Sequence, residues 1–178
     1  MFEKPAEDEQ LPELHFFDGK ATASDALDSV VMTSFPRSGN SMLRATLERI
    51  MGIVTGSDAD LKAKLHGALM DEGLVGEGLC SKKVWVIKTH WPERSGKHNF
   101  DSERALLLVR SPLDCITSLF HMTLSGSHDL SVSEPDFKTF SKNFEAMVKQ
   151  DMTVWKDFHE FWLKAKVPTH FVRYEDLC

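Results

Sequence analysis

The sequence predicts an α/β fold in which helices cover a parallel sheet. From about residue 30 onward, short continuous apolar runs alternate with amphipathic segments, and strands buried on both faces read as such runs. Alternation of strand and helix favours parallel strands joined by crossover connections. The 178 residues, 42% hydrophobic and 27% charged, have the composition of one globular domain.

The elements follow this pattern in order along the chain. The predicted strands cover residues 30–35, 84–88, 106–110 and 169–174. The predicted helices cover residues 41–51, 111–124 and 133–167, with a shorter helical pattern at 59–70. Because parallel strands end at the same edge of a sheet, we expect the residues that follow these strands to meet there.

The ends and faces of the helices are also predicted. Four residues at helical spacing are expected to form the apolar face of the first helix, which Gly52 ends. They are Leu43, Leu47, Ile50 and Met51. Ser111 precedes Pro112 at the start of the second helix, and Asp114 is placed to complete a capping box. The aromatic residues between 137 and 162 recur at helical spacing, which core packing explains better than a cofactor site does.

The chain divides into a leader and a domain. Residues 1–28 are acidic and are expected to form a flexible leader, and residues 29–178 form the predicted domain. Residues 52–83 are weakly patterned. Cys80, Cys115 and Cys178 lack metal-ligand spacing, so we expect free thiols in a reducing compartment and a cytoplasmic location.

Charge and hydropathy exclude several classes of partner. The net charge of −6 and the pI near 5.7 argue against nucleic-acid binding. No signal pattern or bilayer-length apolar stretch is present, so no membrane partner is expected. The sequence does not indicate an oligomeric state.

Residues 36–42 are typical of an anion site between a strand and a helix. Arg37 supplies a charge, Gly39 permits a tight turn, and the first N–H groups of a helix bind phosphate or sulfate. The side chains of Ser38, Asn40 and Ser41 can cap the helix or donate to anion oxygens. The segment alone equally fits an ordinary capped helix, and it lacks the Gly-Lys-Ser/Thr ending of a Walker A loop.

Two further strand ends carry basic residues. His90 follows a strand with Lys88 two residues before it, which suits a general base beside a cation. Arg110 leaves the next strand, and Ser118 lies two turns into the helix that follows, so both could reach a second phosphate. Each residue taken separately also has a structural explanation.

Together these segments resemble the sulfotransferases that use 3′-phosphoadenosine 5′-phosphosulfate (PAPS). The Pro-Arg-Ser-Gly-Asn-Ser turn at 36–41 matches the turn that binds the 5′-phosphosulfate in that family. Lys-Thr-His at 88–90 matches the segment that carries the catalytic base. Arg110 with Ser118 matches the pair that binds the 3′-phosphate, and Tyr174 matches a tyrosine near the nucleotide.

The resemblance implies a P-loop-like sulfotransferase fold and a PAPS-dependent transferase. The catalytic residues implied are His90 as general base, with Lys88 and Arg37 neutralising charge. The residues implied to bind PAPS are Arg37, Ser38, Gly39, Asn40, Ser41, Met42, Arg110, Ser118 and Tyr174. The acceptor would be a small molecule or a glycan, and no metal is expected.

Two departures from the family pattern leave alternatives open. Arg37 stands where a lysine is common, and no basic Arg-Lys-Gly loop follows the Tyr-Glu-Asp segment at 174–176, so the domain is expected to be incomplete at its C-terminal end. A nucleotide-binding remnant without turnover is therefore one alternative. An ATP-dependent P-loop kinase is another, although no magnesium-binding acid is evident at a strand end.

Overall fold

The computed structural model describes residues 13–17, 30–59, 64–92 and 102–177, and it confirms the predicted α/β fold. Within these ranges, five parallel strands form one sheet in the order β2-β3-β1-β4-β5. The strands are β1 (Val30–Ser34), β2 (Gly56–Ser57), β3 (Val86–Thr89), β4 (Arg104–Val109) and β5 (Thr169–Arg173). Four of them match predicted strands within two residues at each end, and β2 was not predicted.

In the described part of the chain, five α-helices accompany the sheet. They are α1 (Asn40–Met51), α2 (Lys64–Asp71), α3 (Pro112–Ser125), α4 (Glu134–Thr139) and α5 (Ser141–Lys164). Gly52 ends α1 in a left-handed conformation, as predicted. Among the described residues, no helix is both long and apolar enough to cross a membrane.

Two helix predictions were wrong in detail. The long helix predicted from residue 133 is two helices, because the chain turns at Phe140 between α4 and α5. The predicted capping box of α3 does not form, since Ser111 is the N-cap residue but its side chain makes no capping bond. The backbone N–H of Ser111 instead donates to Glu175 Oε1 at 3.0 Å.

Helices pack on both faces of the sheet. On one face, Val31 and Leu107 contact α3 and α5 in a core that contains Ile116, Phe158 and Trp162. Met32 and Leu108 point to the other face, where Leu43 of α1 covers them. The alternation of adjacent residues between two apolar layers explains why these strands read as continuous apolar runs.

The buried face of α1 differs from the prediction. Leu43 is buried and Leu47 is half-buried, but Ile50 is 74% exposed. Arg44 and Glu48 are buried in its place, at 0% and 3% exposure. The helix is therefore held partly by buried charged side chains.

Part of the predicted leader lies within the described residues. His15 pairs with Ile53 in a parallel bridge, with hydrogen bonds from His15 N to Gly52 O and from Val54 N to His15 O. Phe17 N donates to Lys83 O at 2.8 Å. Residues 13–17 thus lie along the segment after α1, and the rest of the predicted leader lies outside the described residues.

The strand order places a binding crevice at β1 and β4. The chain leaves β1 toward β2 at one edge of the sheet, whereas it leaves β4 toward β5 at the other edge. Ligands of open parallel sheets bind at such a switch point, beyond the carboxyl ends of the strands. Arg37 and Arg110 follow these two strand ends.

Candidate functional site

The turn between β1 and α1 contains two residues in the left-handed region. Gly39 has φ +91°, and Arg37, with φ +65°, is the one non-glycine residue with a positive φ in the described part of the chain. Such a conformation costs energy and persists where surrounding contacts hold it. One of these contacts is the 2.9 Å hydrogen bond from Arg110 Nη1 to the carbonyl of Arg37.

Tyr174 packs directly against this turn. A Cβ added at Gly39 would lie 2.5 Å from Cδ2 of the Tyr174 ring. The guanidinium carbon of Arg110 lies 4.0 Å from the centre of the same ring, a cation–π distance. Tyr174 is therefore placed between the turn after β1 and the arginine after β4.

Replacing Gly39 with alanine is expected to destabilise the protein more than the same change at Gly126. Both glycines have positive φ, but a Cβ at Gly126 meets nothing within 4 Å. The backbone cost, about 1–2 kcal/mol, is shared, and G39A adds about 1–3 kcal/mol from the clash with Tyr174. Urea denaturation of both variants measures the difference, and equal losses would contradict the Tyr174 contact.

The N-terminus of α1 presents backbone donors. Leu43 N donates to Gly39 O at 3.0 Å, and no side chain caps this helix end. Across the described ranges, the N–H groups of residues 40–42 have no hydrogen-bond acceptor. With the helix dipole, these donors make an anion-binding end.

Neighbouring polar side chains are engaged within the protein. The Ser38 hydroxyl is buried and lies 3.3 Å from the Cys115 sulfur. Asn40 Nδ2 donates to Ser34 Oγ at 3.0 Å, and its Oδ1 accepts from Ser41 at 3.3 Å. The predicted turn therefore offers its backbone, while these side chains stabilise its shape.

His90 lies beside the first residue of α1. Its Nδ1 is 2.7 Å from the carbonyl oxygen of Ser34. Because a carbonyl oxygen can only accept, Nδ1 carries the proton, and Nε2 of the neutral ring carries the lone pair. Nε2 lies 3.5 Å from Asn40 Nδ2, so the proton-accepting edge of His90 faces the N-terminal end of α1.

The loop that carries His90 is fixed on both sides. Thr89 Oγ1 donates to Asp58 at 2.7 Å and accepts from Trp91 N at 2.9 Å. The carbonyl of Trp91 in turn accepts from Trp162 Nε1 at 2.8 Å. These bonds connect the loop to β2 and to α5, which limits the movement of the imidazole.

Lys88 lies in a buried cluster of charges. Its side chain is 6% exposed, and burial lowers its pKa. The nearby Glu77 and Asp58 carboxylates raise this pKa, whereas Arg44 lowers it further. The Lys88 ammonium makes no hydrogen bond to any other described residue.

A cavity of about 310 Å³ lies where α3 faces the turn after β1. Among the residues that line it are Arg37, Arg110, Ser118, His121, His128 and Asp129. Arg37 Nε donates to Ser118 Oγ at 2.9 Å, and its two terminal nitrogens lie 2.9 Å from His128 Nδ1 and 2.8 Å from His128 O. The volume is within the range of small-molecule pockets.

The cavity is electrostatically prepared for an anion. Burial lowers the pKa of Arg37, and the nearby Arg110 guanidinium lowers it further, while Asp129 opposes this effect. Arg110 Nε is buried without a hydrogen-bond partner. Two close guanidiniums, one with an unused donor, favour a ligand that brings negative charge.

The structure groups the residues predicted from the sequence into three places. Arg37, Arg110 and Ser118 line one cavity, and Tyr174 flanks it. His90 and residues 38–42 lie at the N-terminus of α1. Lys88 lies in the buried charge cluster. The side chain of Arg37 reaches toward Ser118 rather than toward His90.

Several polar residues at these places were not predicted from the sequence as site residues. His121, His128 and Asp129 line the cavity, and Arg44 and Glu77 form a buried ion pair near Lys88. His121 follows Ser118 by one helical turn, which is a signal that could have identified it. The loop residues His128 and Asp129 carry no comparable signal.

Comparison with known proteins finds relatives that are longer than this chain. A WSCD family member from Aedes aegypti is 32% identical over 165 residues, which cover 90% of this chain and 49% of that protein. WSCD family members from Drosophila pseudoobscura pseudoobscura and Drosophila melanogaster are each 33% identical over 135 residues, 75% of this chain and 40% of theirs. The chain thus spans about half the length of the Aedes aegypti protein and less than half the length of each Drosophila protein. No solved structure gives a significant match.

A protein-family model also matches this chain. The model described as "Sulfotransferase domain" matches residues 78–178, which include β3, β4, α3 and β5. The turn after β1 precedes the matched segment, and the sheet brings it to the same edge as His90 and Arg110. Since the match covers more than half of the 178 residues, the chain belongs to the sulfotransferase family.

Proposed function

We propose that this chain binds PAPS and transfers the sulfuryl group to a hydroxyl or amine of a small molecule or glycan. The observation that carries the proposal is a cavity with two guanidiniums close to an uncapped helix N-terminus, beyond β1 and β4. Both features bind phosphate or sulfate groups. Membership of the sulfotransferase family supports transferase chemistry.

The residues present fit a nucleotide with two anionic groups. The Arg110 guanidinium lines the cavity and can donate to phosphate oxygens, and Arg37 beside it adds a second charge. The free N–H groups of residues 40–42 form a separate anion-binding end. We therefore assign the 3′-phosphate to Arg110, Ser118 and Arg37, and the 5′-phosphosulfate to the backbone N–H groups of residues 40–42.

The proposed role of Arg37 follows from its hydrogen bonds. Its guanidinium reaches Ser118 and His128, so its charge acts at the 3′-phosphate end of the site. Its carbonyl accepts from Arg110, which couples the turn to the cavity. This assignment replaces the role at the sulfuryl group that the sequence suggested.

His90 is proposed to act as the general base. When bound, PAPS supplies a sulfuryl group whose bond to the 5′-phosphate breaks as a bond to the acceptor forms. The lone pair on His90 Nε2 takes the proton that the acceptor loses. The bond from Nδ1 to Ser34 O holds this tautomer and stabilises the imidazolium that results.

Lys88 is proposed to neutralise charge near the transferred group. Its ammonium has donors that no described residue uses, and its position in β3 is two residues before His90. Glu77 and Asp58 favour its charged form against the effect of burial. A fixed cation of this kind stabilises developing charge without reorganisation of solvent.

Transfer of a radiolabelled sulfuryl group from PAPS across phenols, alcohols, sugars and peptides tests the proposed function. The assay uses this chain and, since its relatives are about twice as long, any longer form of the protein that its gene encodes. Label in any acceptor supports the proposal. Binding of 3′,5′-diphosphoadenosine without transfer would instead indicate a non-catalytic nucleotide-binding protein, and magnesium-dependent phosphoryl transfer from ATP a kinase.

Replacing Arg110 with glutamine is expected to weaken 3′,5′-diphosphoadenosine binding by about tenfold to a hundredfold. The change removes a charged donor from the proposed 3′-phosphate site, where such a hydrogen bond is worth about 1.5–3 kcal/mol. Calorimetry with 5′-AMP should show a much smaller change. R173Q removes the same charge from an exposed residue, the last one of β5, and serves as the control. Equal losses for both nucleotides would contradict the assignment.

A further inference from the structure

His121 lines the cavity, and the function proposed above gives it no role. It lies on α3 at the same face as Asp114, Thr117 and Ser118, which also line the cavity. Its ring packs at 5.6 Å from the ring of Phe137. The imidazole is thus held in place at the wall of the cavity.

The hydrogen bonding of His121 determines which nitrogen carries its proton. The backbone N–H of Val132 donates to Nδ1 at 3.0 Å. Because Nδ1 accepts, the proton of the neutral ring must be on Nε2. In the ranges that the structure describes, Nε2 makes no hydrogen bond to another residue. His121 therefore offers an unused N–H donor.

The surroundings of this donor favour an anion. The cavity already contains the Arg37 and Arg110 guanidiniums and the Ser118 hydroxyl. Asp114 and Asp129 also line it, and their carboxylates oppose the binding of a phosphate. Additional hydrogen-bond donors therefore strengthen the binding of a phosphate. A neutral imidazole supplies one without adding to the repulsion between the two guanidiniums.

We propose that His121 is a specificity-determining residue, whose Nε2–H donates to the phosphate group held at Arg110 and Ser118. This inference rests on the proposed function, because it takes that phosphate to be the 3′-phosphate of PAPS. His121 then increases the preference for nucleotides that carry a 3′-phosphate. The bond from Val132 N to Nδ1 keeps the donor in the required tautomer.

Two substitutions distinguish the proposed hydrogen bond from His121 to the ligand from the bond that His121 accepts from Val132 N in the following loop. In H121N, the side-chain oxygen can replace Nδ1 as acceptor for Val132 N–H, but nothing replaces Nε2–H. In H121Q, the longer amide can place an N–H near the position of Nε2. Calorimetry with 3′,5′-diphosphoadenosine and 5′-AMP, together with thermal melting, gives the readout for each variant and the parent chain.

We expect H121N to bind 3′,5′-diphosphoadenosine about tenfold or more weakly, as for loss of a hydrogen bond to a charged group. Its 5′-AMP affinity should stay within about twofold, and H121Q should recover most of the lost affinity. An unchanged preference in H121N would overturn the role of His121 and leave the proposed function intact. Equal losses for both nucleotides would indicate a structural role only. A parent chain without preference would overturn the proposed 3′-phosphate site itself.

Discussion

Replacing His90 with alanine is expected to lower the rate of sulfuryl transfer by about two to four orders of magnitude. The reason is the loss of the Nε2 lone pair, which the bond from Nδ1 to the Ser34 carbonyl directs toward the N-terminus of α1. Single-turnover rates at saturating PAPS measure the chemical step. The affinity for 3′,5′-diphosphoadenosine should change little, since His90 is not assigned to phosphate binding.

Two comparisons make the His90 result specific. H170A removes an exposed histidine from β5 and should leave the rate unchanged. The rate of the parent chain should depend on pH through the group that accepts the proton, and the residual activity of H90A should lack this dependence. Near-normal turnover of H90A would show that His90 is not the general base. The base would then belong to the acceptor or to another residue of the site.

The sheet could be predicted wherever a strand is buried on both faces. Val31 and Met32 point to different apolar layers, so β1 appears in the sequence as a continuous apolar run. The same holds for β3 and β4. In contrast, β2 consists of Gly56 and Ser57 and has no side-chain pattern that could reveal it. It is defined by its pairing with Ile87 and Lys88 in β3, which is information about tertiary structure.

The edge of the sheet at which the candidate residues lie was predictable, but the directions of their side chains were not. Strand ends fix where Arg37, His90 and Arg110 lie relative to the sheet, because parallel strands share one edge. The direction of Arg37 depends on Ser118 and His128, which are 81 and 91 residues away in sequence. No local pattern contains that relation, so the direction of the Arg37 guanidinium could not be predicted from the sequence.

The face of α1 shows the same limit for packing. Arg44 and Glu48 read as exposed positions of an amphipathic helix, and Ile50 reads as buried. The structure reverses this because Arg44 pairs with Glu77, 33 residues later, and Thr55 bridges Arg44 and Glu48. Partners that are distant in sequence allow α1 to bury Arg44 and Glu48, whereas the local pattern predicted that Ile50 would be buried.

Replacing Arg44 with methionine is expected to destabilise the protein by about 3–5 kcal/mol. Arg44 is fully buried; it bonds to Glu77 and donates to Thr55 Oγ1 at 2.9 Å and Thr55 O at 3.2 Å. The substitution leaves the Glu77 carboxylate buried without this partner. Because a domain is stable by only about 5–15 kcal/mol, urea denaturation should show a large shift of the midpoint.

A double substitution distinguishes loss of the ion pair from loss of packing. Combining R44M with E77L removes both charges, and replacement of a buried pair by apolar side chains is often neutral, so much of the lost stability should return. R49M changes an exposed arginine of the same helix and should stay within about 0.5 kcal/mol of the parent. Additive losses in the double variant would show that the pair is not energetically coupled. Recovery would show that the loss in R44M comes from leaving the Glu77 carboxylate buried without Arg44, and that the two charges are coupled beneath α1.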